Sequence, residues 1–560
     1  MREAGCGSSY IMNMETEFYN SLDAFATREE IVSLVAKASV KYYDKARKAA
    51  DGERRAPVID AELFDMIPAD FRFKSGGRRG HCSALKNYMI HRLDELPSGE
   101  MSSDEKIPSG GNLSPDASIL KLNSFVGKVQ GIARSGDFVF ETPRIIPQLK
   151  DDSAPGKIVY RPLSAYSDFT TKIVLALEAE YLSRCFDPYF HTEMLAYRRP
   201  REYHGRQGVV TTNKDAVTTI MEYLSAHKDE KIYVSECDIR KFFDILKHSV
   251  ILDCFDKMVL KVTAEHPEFD AVNARKILVS FLNSYSFYHN VFSFNKKAGE
   301  ESEFWRNALS GHYDAGMTYS FGWISKAAAV KNSDFDDFRD LGIPQGAALS
   351  PVLANIVLQS VDEQVLGTAA DPDRLFVRYC DDMILMHTNF VECRRLRMQY
   401  ATALDVHKLE YHDFKCVGEL SKRGKSPQYW KAKSKEPFLW GRSSGNSAEW
   451  IGFLGFEFRC SGDVRMRRSS VGKKADKMRR DMLQIHFGAN GKLRERHLKK
   501  FRSMTIAVPK KGSRAYNLLS SHLGITANPW TARQIRGLKK FRRRFSEFLR
   551  ALPKFGAQMN

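Results

Sequence analysis

Two short apolar runs, residues 375–379 and 383–386, flank a pair of aspartates in the segment LFVRYCDDMILM. Each run has the length of a strand, so the pattern predicts a β-hairpin with Asp381 and Asp382 at its connection. A second apolar run, Ile232, Tyr233 and Val234 in KIYVSECDIRKFFDILKH, predicts a strand that passes into a helix with Asp238 at the junction. The segment LGIPQGAALSPVLANIVLQSVDEQVL, residues 341–366, opens as a Gly/Pro loop and continues at helical spacing, with Ser350 as its cap and Pro351 at the first helical position. Its small residues Gly346, Ala347 and Ala348 would let another group approach the backbone closely.

Upstream, Phe18, Leu22, Phe25, Ile31, Leu34 and Val35 recur near helical spacing and predict helices over residues 14–50, packed on the main body. Residues 96–118 are rich in Pro, Gly and Ser and predict a linker, which closes an N-terminal, mainly helical extension at 1–118. From 119 to 460 helical and strand signals alternate, as in an α/β or α+β domain. The aromatic clusters between about 250 and 340 follow no assignable pattern. Beyond 461 come the stretches KKADKMRRDM, KLRERHLKKFRS and RQIRGLKKFRRRFSEFLR, which predict basic helices.

Charge sharpens this division. The 560 residues carry a net +18, yet residues 461–560 alone hold 26 basic and 5 acidic side chains, leaving the rest of the chain near −3. An excess so concentrated favours polyanion binding over a merely solvated face. Arg467, Arg468, Lys473, Lys474, Arg479, Arg480, Lys539, Lys540, Arg542 and Arg543 are the candidate nucleic-acid contacts, with Phe541, Phe545 and Phe548 interleaved to pack on protein. Nine scattered cysteines without a C-x-x-C pair argue for free thiols and against a zinc ribbon or disulfide framework. No apolar run nears the roughly 18–20 residues of a membrane span, and the first residues carry no signal-peptide core, so a soluble cytoplasmic protein without a membrane partner is expected.

The acids are the candidate chemistry. Taken alone, CDD is compatible with an ordinary Asp-containing turn. A strand-end Asp238, 143 residues before Asp381, can however meet the hairpin in space. Carboxylates so gathered repel unless a divalent cation neutralises them, and an all-oxygen donor set selects Mg²⁺ or Mn²⁺, which also take phosphate oxygens.

In their order, CDIRKFFD, GIPQGAALSP and YCDD resemble the first catalytic motif, the loop beneath the nascent base pair and the paired-aspartate hairpin of the reverse transcriptases, especially the bacterial group of group II intron, retron and defence-associated enzymes. Flanking segments resemble further motifs: GKIVYRPLSAYSDFTTKIVLALEAEYL the fingers, LAYRRP the motif after it, FKCVG the palm lysine motif, and WIGFLGFEF the primer-gripping hairpin. The resemblance covers about residues 150–485. It implies an α+β right-hand polymerase fold, with fingers and palm at 119–460, an insertion at 262–335, and a basic helical thumb and C-terminal extension at 461–560.

The same resemblance assigns roles. Asp238, Asp381 and Asp382 would be catalytic and hold two Mg²⁺ ions, Mn²⁺ being the alternative, with Ile239 offering its carbonyl as a further ligand. One ion would lower the pKa of a primer 3′-hydroxyl, and the other would hold the triphosphate and stabilise the leaving pyrophosphate. Phe243 matches the aromatic gate that occupies the space of a ribose 2′-hydroxyl. Lys157 and Arg161 match the basic fingers positions that hold the triphosphate. Gln345 would lie against the incoming nucleotide or templating base, Lys415 near the triphosphate or primer end, and Phe453, Leu454 and Gly455 in the primer grip.

The chain also departs from the family pattern. Cys380 stands where a small residue, often Ala, is usual, and the 104 residues from Asp238 to Gly342 suggest the insertion. The Val-Thr-Gly signature of retron enzymes and the Cys/His-rich nuclease module of many intron enzymes are not in the sequence. By elimination the chain resembles the stand-alone bacterial enzymes of phage defence. The expected function is RNA-directed DNA polymerase with a noncoding RNA. Its partners would be an RNA template or noncoding RNA, dNTPs and the DNA product, together with either a second copy of the chain or a second defence protein. Untemplated or protein-primed DNA synthesis, and a nucleic-acid-binding scaffold or splicing cofactor, are the alternatives.

Overall fold

The computed structural model describes residues 18–50, 61–67, 78–96, 115–149, 160–287, 290, 340–367, 370–420, 427–443 and 445–467. Thirteen strands occur among them: β1 (Arg144–Leu149), β2 (Tyr160–Ala165), β3 (Arg201–Tyr203), β4 (Arg206–Val209), β5 (Tyr233–Asp238), β6 (Arg374–Tyr379), β7 (Asp382–His387), β8 (Phe414–Lys415), β9 (Ser434–Trp440), β10 (Ser447–Ala448), β11 (Trp450–Phe453), β12 (Phe456–Arg459) and β13 (Val464–Met466). The central sheet runs β10-β9-β5-β7-β6, with β8 also on β9. The two predicted strands of LFVRYCDDMILM are β6 and β7, an antiparallel hairpin, and the predicted strand before Asp238 is β5, which lies antiparallel to β7.

Because strand side chains alternate, the sheet feeds two cores. Cys237, Phe376, Met383 and Leu385 face a large helical core, while Val234, Val377, Ile384 and Met386 face a smaller one. The large core is closed by helices Phe169–Phe186, His248–Glu265, Val272–Asn283, Ser350–Leu366 and Phe390–Val406. The smaller holds helix Asn213–Ala226 and the β11–β12–β13 sheet. Local signals set the helix starts: Asp168 accepts the Thr171 N–H at 2.6 Å, and Thr212 and Asp215 form a reciprocal capping box.

Several expected boundaries move. The helices Leu22–Phe25 and Arg28–Ala50 do form, separated at Ala26, and pack on the main body as expected, with Leu22, Phe25, Ile31 and Val35 buried in the large core. The linker stops earlier than 118, because Pro115, compatible with the first turn of a helix, opens helix Pro115–Ser135 and Ser118 is fully buried. The insertion cannot begin at 262: Val262 lies inside helix His248–Glu265, and Ile277, Leu278 and Phe281 of the next helix are core residues. The rest of 262–335 beyond 287, Asn290 apart, lies outside the described residues, as do 468–560. Ser350 is not a cap; it is the first residue of its helix and its hydroxyl donates to the Pro344 carbonyl at 2.7 Å, tying the helix to the loop before it.

Candidate active site

Strand pairing brings the three acids together. Asp238, the last residue of β5, lies directly opposite Asp382, the first residue of β7, and Asp382 also pairs with Tyr379 across the hairpin. Such cross-strand partners sit about 4.5–5.5 Å apart at Cα, with side chains on one face. Asp381 occupies the turn after Cys380, whose φ is +57°, a conformation that usually calls for Gly. Ile239 is buried, and its N–H donates to the Asp381 carbonyl at 3.4 Å, so backbone joins the two acidic segments as well.

A buried ion pair braces the turn from below. Arg378 and Asp362, both 0% exposed, meet through Nε–Oδ1 at 2.9 Å and Nη2–Oδ2 at 2.7 Å, and Arg378 Nη1 donates to the Cys380 carbonyl at 3.1 Å. The β5 end is clamped as firmly: the Asp238 N–H donates to Ser434 Oγ at 3.2 Å and its carbonyl accepts the His412 N–H at 3.1 Å.

This crowding shows in the acids' proton affinity. Burial, then the Asp381 and Asp238 charges, push the Asp382 carboxyl up to about 7, against the pull of Lys433 and Arg467. Burial and Asp238 raise Asp381 likewise. Three gathered oxygen-donor side chains fit a hard divalent cation, whose charge would hold Asp381 and Asp382 ionised.

Around the triad the expected residues fare differently. Phe243 is half-buried against the large core, edge-on to Phe242 at 5.4 Å, and its carbonyl accepts the Ile343 N–H. Gln345 donates from Nε2 to the buried Asp244 carboxylate at 2.6 Å, and its backbone carbonyl accepts the Ser164 N–H of β2 at 2.8 Å, which joins the loop to that strand. Gly346 beside it has φ +108°, and a Cβ there would press to 3.3 Å on the Ser164 carbonyl. Arg161 is exposed on β2; Lys157 lies outside the described residues. Lys415 is exposed at the end of β8, 3.4 Å from Asp413. Phe453 is core, whereas Leu454 and Gly455, with φ of +46° and +86°, form the two-residue turn between β11 and β12.

Arg467 is the one basic-end candidate among the described residues. Its guanidinium donates to the Trp430 carbonyl at 3.0 Å and its N–H to the Gly455 carbonyl, so it bridges the turn to the palm and acts electrostatically on Asp382. Arg468, Lys473, Lys474, Arg479, Arg480, Lys539, Lys540, Arg542 and Arg543 lie outside the described residues. Sequence reasoning missed Lys433, which forms an ion pair with Asp238, and the Arg378–Asp362 brace. In the sequence Lys433 is one of several lysines in KAKSKE; nothing there distinguishes it.

The sequence profile of the family described as reverse transcriptase (RNA-dependent DNA polymerase) matches residues 150–458, over half of the chain and the whole of this site. The chain belongs to the reverse transcriptase family. This reverse transcriptase is thus an RNA-directed DNA polymerase, a nucleotidyltransferase, built on the right-hand polymerase fold. No curated protein matched the chain by sequence. Similar solved structures include a telomerase from Candida albicans in complex with a TWJ fragment of telomeric RNA, at 11% identity and TM-score 0.32, covering 84% of this chain and 82% of that one. An apo telomerase from Candida tropicalis matches at 12% identity and TM-score 0.34, covering 94% and 80%. With TM-scores this low, the family assignment rests on the profile match.

Proposed function

We propose that this reverse transcriptase polymerises DNA at Asp238, Asp381 and Asp382 with two divalent cations, Mg²⁺ first and Mn²⁺ as a substitute. We further propose that it serves bacterial antiviral defence in the cytoplasm with a noncoding RNA. The observation that carries the first proposal is the direct register of Asp238 on Asp382, with Asp381 in the adjoining turn. Asp238 and Asp381 would hold the cations, with Asp382 in support and the Ile239 carbonyl as a further donor. When bound, such cations acidify a primer 3′-hydroxyl and stabilise departing pyrophosphate. The protein's own part is positioning: strands β5 and β7 fix the carboxylates, Phe243 crowds the sugar, and Arg161 and Lys415 bind phosphate. Leu454 and Gly455 would present the primer strand.

The defence reading rests on the sequence resemblance to stand-alone bacterial enzymes and on the basic excess in residues 461–560. In the test of the site, Asp381→Ala and Asp382→Ala each cut dNTP incorporation on an RNA template by about 10²- to 10³-fold or more, with unchanged melting temperature. Continued synthesis by both variants would sink the site assignment. Sequencing the nucleic acid that copurifies tests the noncoding RNA: a single recurrent RNA is expected, and its absence removes that part of the reading.

A further inference from the structure

Lys433 has no role in the reading above, yet its ammonium lies on the Asp238 carboxylate. The contact is set by the backbone on both sides. Ser434, the next residue and the first of β9, accepts the Asp238 N–H, so the start of β9 is pinned against the end of β5 and Lys433 can reach Asp238. Asp238 is largely covered, whereas Lys433 is 54% exposed on the side chain, a tethered cation with its outer part in solvent. Its charge also acts at a distance on Asp381 and Asp382.

Two cations cannot share one carboxylate oxygen at contact distance without repulsion, and a flexible four-carbon stem lets an ammonium leave at low cost. We propose that Lys433 is an internal counter-ion that holds Asp238 in the metal-free enzyme and competes with the divalent cation for it. The inference rests on the proposed metal role of Asp238. Lys433 thereby sets how much free cation is needed before the site loads, and it keeps the acids together until then. Lys431, two residues earlier and exposed at the end of helix Pro427–Lys431, carries the same charge without the contact and serves as the control.

The experiment titrates Mn²⁺ into the full chain without nucleic acid and reads free Mn²⁺ by electron paramagnetic resonance. Lys433→Met is expected to bind Mn²⁺ about two- to fivefold more tightly than wild type, the range of one half-exposed ion pair, while Lys433→Arg and Lys431→Met match wild type. In parallel, amine acylation followed by mass spectrometry reads the wild-type side chain itself: Mn²⁺ should raise labelling of Lys433 and leave Lys431 unchanged. If Asp238→Asn binds Mn²⁺ as wild type does, the metal reading fails. If Asp238→Asn loses binding but Lys433→Met keeps wild-type affinity, or Lys433 labelling ignores Mn²⁺, the metal reading survives and the competition proposal is overturned.

Discussion

Glu178 is fully buried in helix Phe169–Phe186, and neither carboxylate oxygen has a hydrogen-bond partner among the described residues. Burial alone drives its carboxyl well above the ordinary value, because nothing nearby compensates an ionised form. The folded protein therefore holds a proton that the unfolded chain releases near 4.5, so the contribution of Glu178 to stability is greatest below that pH and falls as pH rises toward the folded value. Replacing Glu178 with Leu, of similar volume, should raise stability by about 1–3 kcal/mol at neutral pH and by less near pH 4. Thermal melts of both proteins at the two pH values check this; an unchanged or lowered melting temperature at neutral pH would show that the carboxyl is satisfied after all. The contrast with Asp382 is instructive: both acids are raised, but on Asp382 the Asp381 and Asp238 charges add to burial, whereas for Glu178 burial is the cause.

The aspartate hairpin is an element whose tip and base are held by different chemistry. Strands β6 and β7 were legible because bounded apolar runs of strand length, buried on both faces, leave few alternatives, and the place of Asp238 was legible because a strand running into polar residues marks an end. The brace below them was not, since Arg378 sits in an apolar run and Asp362 in a helix sixteen residues away, and only packing pairs them. The Lys433 contact was hidden for the same reason: the sequence pattern says which face is apolar, not which side chains meet across elements. Arg378→Met should destabilise by about 3–5 kcal/mol, because it strands the Asp362 charge in the core. The double variant Arg378→Met with Asp362→Leu should recover most of that stability, yet stay slow in dNTP incorporation, because the Cys380 carbonyl has lost its donor and the Asp381 turn its fixed position. Full activity in the stabilised double variant would reduce the ion pair to packing.

For the molecule as a whole, the problem is that a site built of three acids repels the phosphates it must handle. Of the described cations that act on Asp382, Lys433 is paired with Asp238 and Arg467 is held on the Trp430 carbonyl. Residues 461–560, at about +21 against about −3 for all that precedes them, carry the compensating charge. The proposed function then implies a division of labour, in which the acidic site would order the reacting groups and the basic end would supply affinity through counterion release. With about six phosphates neutralised, the log of binding affinity for an RNA–DNA hybrid should fall against log salt with a slope near −5. Changing Lys539, Lys540, Arg542 and Arg543 together to Gln should flatten that slope by about 3–4 if all four meet phosphate, while leaving the KM for dNTP unchanged. Fluorescence anisotropy across a salt series measures both slopes; an unaltered slope would mean that these four side chains face solvent and that the pull on nucleic acid comes from elsewhere in the basic end.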